Sequence, residues 1–274
     1  MITFPNAKIN IGLNVVEKRL DGYHNLESVF MPIGLCDALE VIEYNNADNE
    51  AIVFSKSGID IPDDGKPNLC QQAYALMAQD ISLPQIKVHL HKNIPIGAGL
   101  GGGSADAAFF IKLLNEQFNL NLSQDAIMNY ARKLGSDCAF FIPNSIAYIE
   151  GTGTEFTEIK VNLKGKFITV VYPHIHVSTA QAYAGITPQK ASRSLSDDVC
   201  NLAITEWKGK VHNDFEDSLF KVYPRLEKIK RELYNKGALY ASMSGSGSSI
   251  YGLFDAPTRL SQDFPDCFVW EGAL

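Results

Sequence analysis

The chain has 274 residues, of which 46% are hydrophobic and 20% charged, a composition that fits a folded protein and excludes a disordered or fibrous one. Its 24 basic and 31 acidic residues give a net charge of −7, which argues against a surface that wraps nucleic acid. Small anionic ligands stay open despite that charge, because backbone N–H groups bind anions without any cationic side chain.

No run approaches the roughly 18–20 apolar residues of a membrane span. The N-terminus, Met1-Ile-Thr-Phe-Pro-Asn-Ala-Lys8, has no basic region ahead of an apolar core. Five cysteines (Cys36, Cys70, Cys138, Cys200 and Cys267) are scattered and form no C-x-x-C pair. These features point to a reduced, cytoplasmic protein with one large domain or two modest ones.

Weak alternation over Ile2–Val16 predicts a strand that ends in a polar turn at Arg19-Leu-Asp-Gly22, and Leu39 and Val41 predict another over Ala38–Glu43. Asn45–Asn49 reads as a polar loop and Asp63-Asp-Gly65 as a turn. Leu69, Ala73, Leu76 and Met77 recur at helical spacing, whereas Ile86, Val88 and Leu90 alternate with Lys87, His89 and His91 as in a half-buried strand. A glycine-dense loop, Gly97–Gly103, leads into a helix from Ser104 through Leu114, and Ser123 is placed to cap a further helix that stops at Gly135. Strands are expected at Ile146–Glu150 and Phe167–Tyr172, a helix-prone stretch at Asp198–Lys221, and a helix at Pro224–Lys236. Two short strands, Leu239–Met243 and Ile250–Phe254, flank Ser244-Gly-Ser-Gly-Ser-Ser249. Strands and helices mix without strict alternation, so the fold class is α+β, with a change of pattern near 155–165.

The glycine loop is the most informative stretch. A tight turn from strand to helix needs one glycine, yet five occupy the seven positions 97–103, each at an entropic cost. Gly97-x-Gly99-x-x-Gly102 matches the dinucleotide fingerprint formally, but the second strand and its acidic residue about 20 positions on are missing. No Gly-Lys-Ser/Thr closes the run, which excludes a Walker A loop. A third kind of phosphate loop remains, in which unpaired N–H groups at the start of the helix face an anion. Elsewhere the residues alone leave alternatives open. Asp137 is a turn former or a catalytic carboxylate, Lys8 a snorkelling surface lysine or a buried one, and Tyr183 a core aromatic or a ligand contact. His89/His91 and His174/His176 share strand faces but lack a third ligand at a suggestive spacing, so they read as polar-face histidines rather than a metal site.

Three segments in order carry a resemblance. Pro95–Ala108 resembles the second motif of the GHMP kinase superfamily, Pro5-Asn-Ala-Lys-Ile-Asn-Ile-Gly-Leu13 its first, and Met243-Ser-Gly-Ser-Gly-Ser-Ser-Ile-Tyr-Gly252 its third. Lys18-Arg-Leu-Asp-Gly-Tyr-His-Asn-Leu26, the triple glycine 101–103 and Leu134-Gly-Ser-Asp-Cys-Ala-Phe-Phe141 are similar to the branch that phosphorylates a cytidylated diol. Ser136 and Cys138-Ala139 depart from the Ala and Val-Pro usual there, and Asp106 stands at a variable position.

The resemblance implies a two-domain GHMP kinase fold, with a ribosomal-S5-like ATP-binding domain over 1–158 and a ferredoxin-like domain over 159–274. It implies ATP and Mg²⁺ as cofactors and a small cytidylated substrate as partner, with no nucleic acid or membrane, in a monomer or weak homodimer. By position, Asp137 matches the catalytic base and Lys8 the lysine that pairs with it. The ATP loop maps onto Pro95, Ile96, Gly97, Ala98, Gly99, Leu100, Gly101, Gly102, Gly103, Ser104 and Ala105. Asn10, Tyr23, His24, Thr179 and Tyr183 map onto substrate contacts, with Tyr23 stacking on cytosine, His24 bonding its edge and Tyr183 as a second aromatic. No protein ligand for Mg²⁺ stands out; Ser104 offers a hydroxyl but reads equally well as a helix N-cap. Two rival readings are a kinase of homoserine or mevalonate and a catalytically inactive nucleotide-binding homologue. Asp21-Gly-Tyr-His24 speaks against the first, and the presence of Lys8, Asp137 and every loop glycine against the second.

Overall fold

Alternation in the sequence becomes pleat in the structure. In the computed structural model, which describes residues 1–44, 50–62 and 65–274, Ile86, Val88 and Leu90 are buried while Lys87, His89 and His91 face partly outward. The loop expected at Asn45–Asn49 and the Asp63-Asp64 part of the expected turn lie outside the described residues. Elements in the first half are β1 (Ile2–Thr3), β2 (Asn6–Lys18), β3 (His24–Cys36), β4 (Ala38–Glu43), β5 (Ile52–Gly58), α1 (Leu69–Met77), β6 (Ile86–Lys92), α2 (Gly102–Gln117), α3 (Gln124–Leu134), α4 (Ser136–Phe140) and β7 (Ala147–Glu150). The second half holds β8 (Glu155–Glu158), β9 (Phe167–Tyr172), α5 (Thr179–Ala184), α6 (Leu195–Asn201), α7 (Phe215–Val222), α8 (Pro224–Asn235), β10 (Tyr240–Met243), β11 (Ile250–Phe254) and β12 (Phe268–Ala273).

Two compact units share these elements. The first comprises Met1–Ala7, Leu35–Ile96 and Gly101–Asn144. Its sheet has the order β1-β4-β6-β5, antiparallel except for the parallel β5–β6 pair. Helices α1, α2 and α3 pack on one another, and α2 also meets β4. Ser123 accepts a hydrogen bond from the N–H of Ala126 and so caps α3, as its sequence position predicts, and Gly135 ends that helix.

The second unit comprises Lys8–Gly34, Gly97–Leu100 and Ser145–Leu274. One sheet runs β2-β3-β7-β8 and the other, fully antiparallel, β10-β11-β9-β12. Leu226, Ile229 and Leu233 of α8 enter a core with Val171, Met243 and Ile250, the inward face that their spacing predicts.

Two expectations need correction. Asp198–Lys221 is not one helix: it breaks into α6, a short 3-10 turn and α7. The chain leaves the helical path so that Leu13 can exchange backbone hydrogen bonds with His212 O and Asp214 N, both at 2.8 Å, and this tertiary pairing overrides local propensity. The helix after the glycine loop starts at Gly102, two residues before Ser104.

Candidate active site

The glycine loop is built on backbone conformations that side chains disfavour. Gly97, Gly99 and Gly101 have φ of 64°, 78° and 71°, so alternate residues sit in the left-handed region. Gly101 is the N-cap of α2, and no side chain caps that end. Ser104 therefore lies within the first turn rather than at the cap. The left-handed Gly101 explains the correction, since it starts the helix by backbone geometry alone. Three first-turn N–H groups, those of Gly102, Gly103 and Ser104, are thus left for a ligand.

Within the second unit, residues 98–100 are fastened to two other segments. Lys8 N donates to Leu100 O at 2.9 Å, and Ser249 N donates to Ala98 O at 3.1 Å. Ser244 Oγ donates to Gly99 O at 2.8 Å and accepts from Asn10 N at 3.2 Å. A Cβ on Gly99 would lie 2.0 Å from Ser244 O. Gly99→Ala combines this clash with a left-handed penalty of about 1–2 kcal/mol. We expect it to weaken ATP binding by about tenfold or more, as titration calorimetry would read, while a wild-type affinity would contradict the fastening.

Lys8 and Asn10 point the same way from β2, as residues two apart on a strand must. Lys8 is only 4% exposed, so the snorkelling alternative is excluded. Its Nζ donates to Asn10 Oδ1 at 2.7 Å and stands 4.2 Å from the centroid of the Phe30 ring. Asn10 Nδ2 donates to Ser28 Oγ at 2.8 Å, and Tyr251 Oη donates to Asn10 O at 2.9 Å. A buried ammonium is thereby held in one orientation.

In the first unit, Asp137 occupies the first turn of α4 and is half-buried. The apolar residues after it, Cys138 to Phe141, are buried, and burial pushes the Cys138 thiol up to about 11. Behind the start of α2 lies a buried charge cluster that the sequence did not reveal. Lys92 Nζ donates to Asp37 Oδ2 and, at 2.7 Å, to Asp106 Oδ2. Asp37 Oδ1 accepts the N–H groups of Asn93 (2.6 Å) and Ile94 (2.8 Å), just ahead of the glycine loop. A Cβ on Gly102 would lie 3.3 Å from Lys92 Nζ, so the cluster abuts the first residue of α2. One ammonium cannot neutralise two carboxylates, and Asp106 Oδ1 is buried without a hydrogen-bond partner among the described residues. Burial, opposed by Lys92 and reinforced by Asp37, pushes the Asp106 carboxyl up to about 7.

A cavity of about 580 Å³ lies in the same unit, lined by Phe54, Lys56, Ile61, Asn68 and Leu69 and reaching Ile96 of the loop.

Aromatic residues of the second unit gather near the turn that precedes β3. Arg19 and Asp21 form an ion pair at 2.8 Å and Tyr23 N donates to Asp21 Oδ1, which shapes the turn before β3. His24 stacks on Tyr183, with ring centroids 4.7 Å apart and planes 23° apart. Tyr183 also meets Phe215 edge-on at 4.9 Å. Tyr23 stands outside this stack, 68% exposed. Thr179 is exposed at the first residue of α5, whose cap is Ser178. Both ring nitrogens of His89 and Nδ1 of His91 hydrogen-bond Ser55 and Ser57, at 2.8–2.9 Å.

Similarity to characterised proteins decides which kinase this site resembles. The 4-diphosphocytidyl-2-C-methyl-D-erythritol kinase of Bacteroides fragilis is 49% identical over 275 residues, covering 100% of both chains. That of Bacteroides thetaiotaomicron is 51% identical over 262 residues, covering 96% of this chain and 95% of the other. The chain belongs to the 4-diphosphocytidyl-2-C-methyl-D-erythritol kinase family. The model of the GHMP kinases N terminal domain matches residues 68–144 of this family member, and that of the GHMP kinases C terminal domain residues 200–265. A crystal structure of 4-(cytidine 5'-diphospho)-2C-methyl-D-erythritol kinase superposes with a TM-score of 0.80 at 27% identity, covering 99% of this chain and 98% of that one. Its α+β fold is therefore the GHMP kinase fold expected from the three motifs.

Proposed function

We propose that this chain transfers the terminal phosphoryl group of ATP to the 2-hydroxyl of 4-diphosphocytidyl-2-C-methyl-D-erythritol in isoprenoid precursor synthesis. The observation that carries the reading is the uncapped first turn of α2 behind three left-handed glycines, a backbone cradle for phosphate. Full-length similarity to kinases of that name supports the acceptor. In the transfer, the acceptor oxygen bonds to the γ-phosphorus, the bond to the β-phosphate oxygen breaks, and the hydroxyl proton passes to Asp137. Lys8, pre-oriented by Asn10, stabilises the charge that develops on the acceptor oxygen. The largely apolar cavity that reaches Ile96 is the place we assign to the nucleobase of ATP.

Mg²⁺ neutralises charge on the transferring phosphates when bound. Among the described residues no group of three or more His, Cys, Asp or Glu is placed to hold a metal ion. Such a chain suits an ion that keeps phosphate and water ligands, with the Ser104 hydroxyl as the protein oxygen that fits best. The ATP-binding half would span 1–158 and the other half 159–274, in line with one family-model match on either side of that division. A cytoplasmic location and a monomer or weak homodimer complete the reading, the former supported by cysteines that are scattered along the sequence without a C-x-x-C pair.

His24 and Tyr183 would receive the cytosine, and Tyr183→Ala tests this. Loss of a stacking ring should raise KM for the cytidylated substrate by about tenfold while KM for ATP stays put. Equal changes in both constants would refute the assignment.

A further inference from the structure

The segment His212-Asn213-Asp214-Phe215-Glu216 has no part in the chemistry above, yet it spends its polar groups on the backbone around the site. Asn213 is fully buried and Glu216 is 2% exposed. Asn213 Nδ2 donates to Met243 O and Gly245 O, both at 2.9 Å, so it brackets Ser244. Its Oδ1 accepts Phe215 N at 3.1 Å, which fixes the amide orientation. Glu216 Oε1 accepts Met243 N at 2.8 Å and Ser242 Oγ at 3.0 Å, and Oε2 accepts Lys230 Nζ at 2.5 Å. Asp214 Oδ2 accepts Val15 N at 2.7 Å, and the flanking backbone pairs with Leu13. The segment thus holds β2 with one hand and the Ser244 loop with the other. Those two are joined again at the site itself, where Ser244 Oγ bridges Asn10 N and Gly99 O.

A buried carboxylate paired with a half-buried lysine, and a buried amide, are poor ways to gain stability, since apolar residues of similar size do as well or better. Such networks define a unique arrangement instead. We propose that Asn213, braced by Asp214 and Glu216, is a positioning residue for phosphoryl transfer: it fixes the Ser244 loop and β2 as one frame that sets Asn10 and the Gly99 carbonyl in place. The inference rests on the kinase reading above.

The test is a cycle of Asn213→Ala, Ser244→Ala and the double variant, with turnover of Mg·ATP and the cytidylated diol, and amide hydrogen exchange. Turnover by the unmodified protein is measured first, because its absence would sink the kinase reading and not this one. A frame displaced by about 1 Å costs up to roughly 10²-fold in rate. Asn213→Ala should therefore lower kcat by about 10–100-fold, with either KM changed less than about threefold. Because both residues act through one frame, the double variant should lose about as much as the worse single one. Exchange at the Asn10 and Ser249 amides should quicken by about tenfold in Asn213→Ala, a readout that needs no activity. Losses that multiply, or unchanged exchange at those amides, overturn the proposal. If Asn213→Ala does not fold, Asp214→Ala, which removes the acceptor of Val15 N, takes its place in the same cycle and is judged by the same outcomes.

Discussion

Asp137→Asn is expected to lower the single-turnover rate by about 10²–10⁴-fold, the range general-base steps contribute, with ATP affinity within about threefold of wild type. Asparagine keeps the size and shape of the side chain and the first turn of α4, so the variant removes a proton acceptor and little else. The N–H groups of α2 and the left-handed glycines that would bind the nucleotide are untouched. Rapid quench with pre-bound Mg·ATP separates chemistry from binding and release. A single-turnover rate near that of wild type would remove Asp137 from the mechanism. Loss of ATP affinity in step with the rate would make it a binding group instead.

Lys92→Met carries the largest expected effect on stability. Lys92, Asp37 and Asp106 are each 2% exposed or less, and the lysine is the cation shared by the two carboxylates. Removing one partner of a buried ion pair typically costs about 3–5 kcal/mol, because the charge left behind has neither water nor a counterion. Chemical denaturation at neutral pH should show a loss of that order, and a loss below about 1 kcal/mol would mean that the cluster is not charged as drawn. Asp106→Asn tests the same cluster from the other side. The folded carboxyl is raised to about 7, above its unfolded value of 3.8, so its contribution to stability is full below about pH 4 and fades as pH rises through 7. Cys70 and Asp37 also face it, and neither removes the excess negative charge. The stability of wild type relative to Asp106→Asn should therefore fall between about pH 4 and 7 and level off above that. A difference independent of pH would contradict the raised value.

Much of this site was legible because it is written locally. The glycine loop, the Ser123 cap and the alternation of β6 are short-range patterns, and each appears in the structure where its residues predict it. Four strands escaped notice for physical reasons. β5, β8 and β12 are edge strands, and Ser55-Lys56-Ser57 on β5 gives no apolar alternation to read. β3 runs through Pro32, a residue that argues against a strand. The lining of the 580 Å³ cavity includes β5 residues, so that wall was hidden as well.

Long-range polar pairs were the other blind spot. Asp37 and Lys92 are 55 positions apart, and nothing near either one announces a partner. Asn213 and Glu216 sit in a stretch that reads as helix-prone, yet their bonds reach about 30 residues away, to Met243. Lys8 carried an ambiguity that only burial resolves. The stack of His24 on Tyr183 joins residues 159 positions apart, and nothing local to either announces it.

The central claim, phosphoryl transfer to the cytidylated diol, is tested most directly by ADP production from Mg·ATP with 4-diphosphocytidyl-2-C-methyl-D-erythritol, homoserine and mevalonate as competing acceptors. We expect turnover with the first and none above background with the other two. Absence of turnover with the cytidylated diol, or faster turnover with either competitor, would contradict the account.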